Sequence, residues 1–217
     1  MIAQILACAE VFRGDGEILA SPMGRVPRLG ALLARATFEP DLVITDGVCT
    51  VVDAEGRREG WMPYRRVFDV LWRGRRHVLM GAAQLDRCGN QNISCIGDHA
   101  SPKVQLLGAR GAPGNTVHHT TSYWVPRHSR RVFVPRVDFV SGVGTDRGAR
   151  ELRYVVSDLG VFDFGDGGAM RLRSLHEGAT LEEVRDQTGF DVCVPPEGVP
   201  QTRGPTPEEA AWIEARA

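Results

Sequence analysis

The residues with most scope for chemistry crowd into positions 81–124: GAAQLDRCGNQN, then GDHASPKVQLLGARGAPGN, then HHTTSYW. Gly108, Gly111 and Gly114 surround Arg110 and lead into Asn115. Glycines let backbone N–H groups close on a ligand, because no Cβ stands in the way. Such N–H groups form a nest of donors for an anion or an oxyanion. An ordinary glycine-rich turn satisfies the same pattern. The spacing is neither that of a phosphate loop nor GxGxxG after a strand, so a nucleotide-binding module is disfavoured. His118 and His119 are adjacent, and in an extended segment they face opposite ways. A hydrogen-bonding role suits them better than one shared metal. HExxH, DxDxDG and GxSxG are all absent. Cys49 and Cys95 have no neighbour that would lower a thiol pKa, so both read as small buried apolar residues.

The elements that must position this stretch come next. EILASPM reads as a strand, and Val26, Leu29, Leu32, Leu33 and Ala36 fall at helical spacing. Pro27 suits the first turn of that helix and Pro40 lies beyond its end. DLVIT (41–45) reads as a buried strand, which completes a βαβ unit with parallel pairing. HVLMGAAQ (77–84) is a further buried strand that runs into the polar turn DRCGNQN. RRVFV (130–134) is a strand candidate, and 152–164 has hairpin alternation. Thr180 with Glu183, and Thr206 with Glu209, are capping-box pairs that open helices near residues 181 and 207. The spacing predicts one domain over 1–194, then an exposed linker and C-terminal helix over 195–217.

Composition narrows the classes. The chain has 217 residues, 42% hydrophobic and 24% charged, with a formal net charge of −1. That is enough for one α/β domain. It lacks the basic footprint of a nucleic-acid or membrane binder. Arg73, Arg75 and Arg76 cluster locally and read as a solvated strand entrance. Five cysteines without CxxC spacing suit a reducing cytoplasm better than a disulfide framework. The N-terminus lacks a basic n-region and reads as an amphipathic helix. No run approaches the roughly 18 apolar residues of a membrane span.

GAAQLDRCGNQN followed by IGDHASPKVQLLGARGAPGN resembles the β subunit of class I CoA-transferases of the glutaconate type, which carry G-x-x-Q-x-D-x-x-G-N-x-N and then G-x-G-G-A. SLHEGATLEEVRDQTGF (174–190) is similar to that family's C-terminal motif. The resemblance covers about residues 10–190. It implies an α/β fold: a CoA-transferase-like open sandwich around a mostly parallel central sheet. GEILASPMGRVPRLGALLARATFEPDLVITDG, REGWMPYRRVFDVLWRGRRHVLMGA, ARGAPGN, TSYWV and VVSDLGVFDFG resemble more closely the branch that opens the last steroid carbocycle. Members of that branch hydrolyse a carbon–carbon bond of a cyclic β-keto acyl-CoA.

Two departures sharpen the expectation. Transferases of this type hold a glutamate nucleophile where this chain has Thr45, with Asp46 one step later. Threonine cannot form the acyl anhydride and glutamyl thioester. In the hydrolase branch the acting glutamate belongs to the α subunit. The second departure is Arg110, which replaces a glycine of G-x-G-G-A, while Gly111 keeps the oxyanion-hole position. Cys88 replaces a frequent aromatic. Gly111, Asn115 and Asp46 are the candidate catalytic residues and Thr45, Arg110, Asn90 and Tyr123 the candidate substrate contacts; Asp46 suits a turn cap equally well, and Tyr123 and Trp124 suit either the acyl pocket or the core. Arg110 would pair with a substrate carboxylate or a CoA phosphate. No metal and no cofactor is implied, CoA being part of the substrate. The implied partner is an α subunit in an α₂β₂ heterotetramer, without nucleic acid or membrane. Two other readings stay open: a transferase that uses Asp46, and a scaffold subunit that only stabilises its partner.

Overall fold

The computed structural model describes residues 1–46, 50–62, 66, 69, 74–165 and 167–216. Gly47, Cys49, Arg73 and most of MPYRRVFDVLW lie outside the described residues. The chain divides into two compact units, Met1–Gly81 with Thr202–Ala217, and Ala82–Gln201.

The first unit holds strands β1 (Leu19–Pro22), β2 (Val43–Thr45), β3 (Thr50–Val52), β4 (Arg58–Trp61) and β5 (Arg76–Gly81). β5 and β2 flank β1 in parallel, and β3 and β4 extend β2 as antiparallel strands. The expected βαβ unit is present, with helix α2 (Arg25–Thr37) as its crossover. β2 is shorter than the apolar run suggested, and Val43 is exposed. Helix α1 (Ile2–Glu10) buries five consecutive residues, Ile5 to Ala9, so it is a core helix and not an amphipathic surface one. α1 meets α2 so closely that a Cβ on Gly30 would lie 2.6 Å from Cys8 Cβ. Asp15 Oδ2 lies 2.6 Å from His77 Nδ1, and both side chains are buried.

The C-terminal helix α5 (Pro207–Glu214) belongs to this unit. The cause is a strap of charges. The Arg203 guanidinium donates to Glu10 Oε1 at 2.5 Å and to Glu209 Oε1 and Oε2 at 2.7 Å. Thr206 and Glu209 form the predicted reciprocal capping box.

The second unit begins with short hairpin strands: β6 (Gln84–Leu85) with β7 (Gln91–Asn92), and β8 (Cys95–Ile96) with β9 (Val104–Gln105). Its main sheet has β10 (Thr120–Trp124) parallel to β11 (Glu151–Val156). β11 pairs antiparallel with β12 (Gly160–Phe164), the predicted hairpin. β13 (Met170–Leu175) adds a further antiparallel strand, burying Met170 and Leu172. Helix α3 (Ala112–His118) follows the glycine-rich loop, so His118 ends a helix and His119 caps it. Helix α4 (Leu181–Asp186) starts where predicted, with Thr180 Oγ1 accepting from Glu183 N at 3.1 Å.

RRVFV is not a strand. Val132 N and Phe133 N fold back on Ser129 O at 2.9 Å, and the segment's ladder bonds among the described residues are to Leu85, through Leu85 N–Val132 O and Val134 N–Leu85 O, while Phe133 O accepts from Gly189 N at 2.8 Å. Pro135 has no N–H with which to continue the ladder.

Candidate active site

The G-N-x-N turn is a closed hydrogen-bond network. Asp86 Oδ1 accepts from Cys88 N and Asn90 N, both at 3.0 Å. Asn90 Nδ2 donates to Asp86 Oδ2 at 3.0 Å and to Asp146 Oδ1 at 2.9 Å, while Asn90 Oδ1 accepts from Gly144 N at 2.8 Å. Every polar atom of the Asn90 side chain is thus engaged within the unit, so Asn90 braces the turn. Burial holds the Asp86 carboxyl above its ordinary pKa despite its donors. Asn92 is saturated in the same way, through Gln84 Oε1, Cys95 O and Ser94 N. Gly89 is obligatory at φ +75°, because a Cβ there would meet Leu152 Cδ1 at 2.6 Å.

Tyr123 supports this turn from beneath. It is fully buried, and its hydroxyl donates to Gly89 O at 3.3 Å. That placement is the core one of the two that the sequence allowed. Burial pushes its phenol pKa up, so it stays neutral. Neighbouring Trp124 is half-buried, and its indole Nε1 has no partner among the described residues.

The glycine-rich loop is different: it leaves backbone N–H groups unengaged among the described residues. Gly108 has φ +86°, and Arg110 has φ +49°, the left-handed conformation that glycine favours. Arg110 is exposed and is the single non-glycine residue with positive φ among the described residues. Gly111 caps α3, and its carbonyl accepts from Asn115 N at 2.9 Å. Among the described residues neither Arg110 nor Gly111 donates its N–H within the chain. Asn115 is buried beneath the loop; a Cβ on Gly111 would come 3.7 Å from its Nδ2.

The loop and the turn are knitted by residues 141–150. Gln91 N donates to Gly142 O at 2.9 Å, Val143 N to Thr116 Oγ1 at 3.1 Å, and Arg150 N to Thr116 O at 2.8 Å. Asn90, Arg110, Gly111, Asn115 and Tyr123 therefore share the second unit. Among the described residues no cluster of His, Cys, Asp or Glu forms a metal site.

Thr45 and Asp46 belong to the first unit. Thr45 is buried, and its hydroxyl lies 3.2 Å from Ser21 Oγ. Ser21 Oγ accepts from Arg76 Nε at 2.7 Å. Arg76 is therefore buried and not part of a solvated cluster, and burial pulls its pKa down to about 10. This polar row across β5, β1 and β2 was missed in the sequence, although a serine and an arginine inside apolar strands mark it. Asp46 is partly exposed, and its Oδ1 accepts from Thr50 N at 3.2 Å. It lines a cavity of about 440 Å³ with Arg25 and Arg28.

No protein-family model matches the chain. The chain is 52% identical over 224 residues to the cholesterol ring-cleaving hydrolase IpdB subunit of Rhodococcus jostii, covering 96% of this chain and 88% of that one. It is 30% identical over 216 residues to the B-type subunit of the 3-oxoadipate CoA-transferase of Pseudomonas knackmussii, covering 88% and 83%. The crystal structure of Rhodococcus jostii RHA1 IpdAB superposes with a TM-score of 0.91 at 49% identity, over 98% of this chain and 92% of that one. The decarboxylase AibA/AibB superposes with a TM-score of 0.82 at 27% identity, over 99% and 94%. The α/β fold implied by the motifs is the one these structures share. With about half of its residues identical over nearly its whole length, the chain belongs to the CoA-transferase β-subunit family, on the branch of the cholesterol ring-cleaving hydrolase IpdB subunits.

Proposed function

We propose that this chain is the β subunit of a heteromeric hydrolase that opens a cyclic β-keto acyl-CoA in steroid ring degradation, with its catalytic carboxylate in the α subunit. The observation that carries the reading is position 45. Where the resembling transferases hold a glutamate nucleophile, a buried threonine keeps its hydroxyl in the sheet. The 52% identity to a ring-cleaving hydrolase subunit points the same way.

In this reading the partner's carboxylate takes a proton from water, and the water oxygen bonds to the ring ketone carbon. The tetrahedral oxyanion collapses, the bond to the thioester α-carbon breaks, and the ketone carbon becomes a carboxylic acid. The electron pair passes into the thioester enolate, which is then protonated at the α-carbon. Charge develops on two oxygens in turn, and fixed donors lower both barriers. The N–H of Gly111 and the amide of Asn115 supply donors on this chain. Arg110 pairs with an anionic group of the substrate. Asp46 caps the β2–β3 turn through Thr50 and orients water or substrate from there. CoA enters as part of the substrate, and water and acid–base groups suffice for the steps. An α₂β₂ assembly in the cytoplasm completes the proposal. Cys8, Cys88, Cys95 and Cys193 are free thiols, and no described helix is long and apolar enough to cross a membrane.

Co-expression with the α subunit and assay on a cyclic β-keto acyl-CoA tests this. Ring-opened acyl-CoA is the expected product. Exchange of CoA onto acetate or succinate alone, with a borohydride-trapped thioester on this chain, would establish the transferase instead. An intact heteromer whose turnover ignores changes at Arg110 and Gly111 would make this chain a scaffold.

A further inference from the structure

The second unit holds a cavity of about 680 Å³ that none of the steps above uses. Arg127, Arg130 and Arg131 line it, the last two from the turn that replaces the expected strand, together with Asp158 and Glu183. All three arginines are exposed. Among the described residues Arg127 and Arg131 make no ion pair or hydrogen bond through their guanidinium groups. Arg130 Nε donates to Asp186 O at 2.5 Å, which fixes one member of the set. On the acidic side, Asp158 Oδ1 is already engaged by His128 N at 2.6 Å. Three guanidinium groups thus face two carboxylates, one of them committed, in a chain whose overall net charge is −1.

The turn is held rigidly. His128 is buried between Ser157 Oγ (3.1 Å) and Thr188 Oγ1 (2.9 Å) and stacks on Phe133 with ring centroids 3.8 Å apart. Val132 and Val134 bond both sides of Leu85, the residue before Asp86 of the G-N turn. A braced turn need not be ordered on binding, so the cost of a charge-assisted bond there is confined to the rotamer freedom of the arginine side chains.

We propose that this cavity receives the phosphorylated nucleotide end of the CoA thioester, with Arg127 and Arg131 on its phosphates. The proposal rests on the acyl-CoA reading above, which supplies a ligand with a diphosphate and a further phosphate monoester. Arginine is the side chain suited to such groups, because its planar fork matches phosphate oxygens.

The test compares two thioesters of the same ring acid, on CoA and on pantetheine, using the α–β complex carrying Arg127→Gln and Arg131→Gln. The KM for the CoA thioester should rise about tenfold for each guanidinium removed. The kcat and KM for the pantetheine thioester should stay as in the wild type. Arg→Lys variants should recover part of the loss. Equal changes for both thioesters, or none for either, would overturn the proposal. So would loss of assembly with the α subunit at unchanged KM, which would assign the arginines to an acidic protein surface. Calorimetry with free CoA and with adenosine 3′,5′-bisphosphate gives a readout independent of ring opening. If the complex opens no ring but binds both ligands through Arg127 and Arg131, the function reading fails and the subsite stands. If neither ligand binds the wild-type complex, the subsite fails.

Discussion

Arg110→Gly should make the enzyme more stable and less active. Arg110 sits at φ +49°, where a side chain with a Cβ costs about 1–2 kcal/mol. Glycine removes that strain but adds about 0.5–1 kcal/mol of unfolded-state freedom. The Arg110 side chain is exposed and makes no ion pair among the described residues, so its removal loses little packing. The net gain is about 0.5–1 kcal/mol, which for a chain of this size raises the melting temperature by roughly 2 °C. Loss of a guanidinium–anion contact should lower kcat/KM about tenfold. Arg110→Ala separates the two effects: alanine keeps the left-handed strain, so it should lose activity without gaining stability. Thermal unfolding and turnover of the α–β complex read both. If Arg110→Gly is destabilised, the arginine makes a stabilising contact and the strain argument fails. If Arg110→Gly turns over like the wild type, the strained arginine has no role with substrate.

Two further outcomes follow from buried groups. Burial lowers the His128 pKa from 6.5 to about 4, so the folded state favours the neutral ring while the unfolded chain takes up a proton below about 6.5. Its contribution of about 3 kcal/mol is complete above pH 6.5 and drains away as pH falls to about 4. Urea midpoints between pH 7 and 4 should show this slope, and His128→Gln should flatten it; an unchanged slope would assign the loss to other groups. Gly30→Ala should destabilise by about 2–3 kcal/mol, although alanine favours helices by about 1 kcal/mol. The new Cβ would lie 2.6 Å from Cys8 Cβ and 2.8 Å from the Cys8 backbone carbon. A melting temperature at or above the wild type would mean that α1 and α2 separate freely.

What could be read from the sequence was local. The βαβ unit, the 152–164 hairpin and both threonine caps depend on residues a few positions apart, and all are present. α3 escaped because APGNTVH carries a proline, a glycine and no apolar period; bonds from Val143 and Arg150 to Thr116 hold its end from more than one turn of chain away. β13 did carry a period of two, with Met170 and Leu172 inward and Arg171 and Arg173 alternating with them. RRVFV has strand composition, yet pairing needs a partner, and only Leu85 is offered. The site residues show the same limit. Asn90, Tyr123 and Thr45 were legible as members of a motif, but their roles were not. The partners that engage them, Asp146, Gly144, Gly89, Ser21 and Ala20, lie 24 to 56 positions away.

Those roles separate scaffold from chemistry. The Asn90 and Asn92 side chains of the G-N-x-N turn are engaged in holding loops, so they brace any reaction the fold supports. What stays unengaged among the described residues is the N–H of Arg110 and Gly111 and the guanidinium of Arg110, Arg127 and Arg131. Oxyanion donors and phosphate anchors are needed whether the bond that breaks is thioester, carboxylate or ring carbon–carbon. This fits a fold shared with CoA-transferase and decarboxylase structures as well as with a ring-cleaving hydrolase. Position 45 is where such reactions can part. A carboxylate there would let this chain supply the nucleophile; a buried threonine bonded to Ser21 does not, and for that reason the proposed hydrolase draws its carboxylate from the partner subunit.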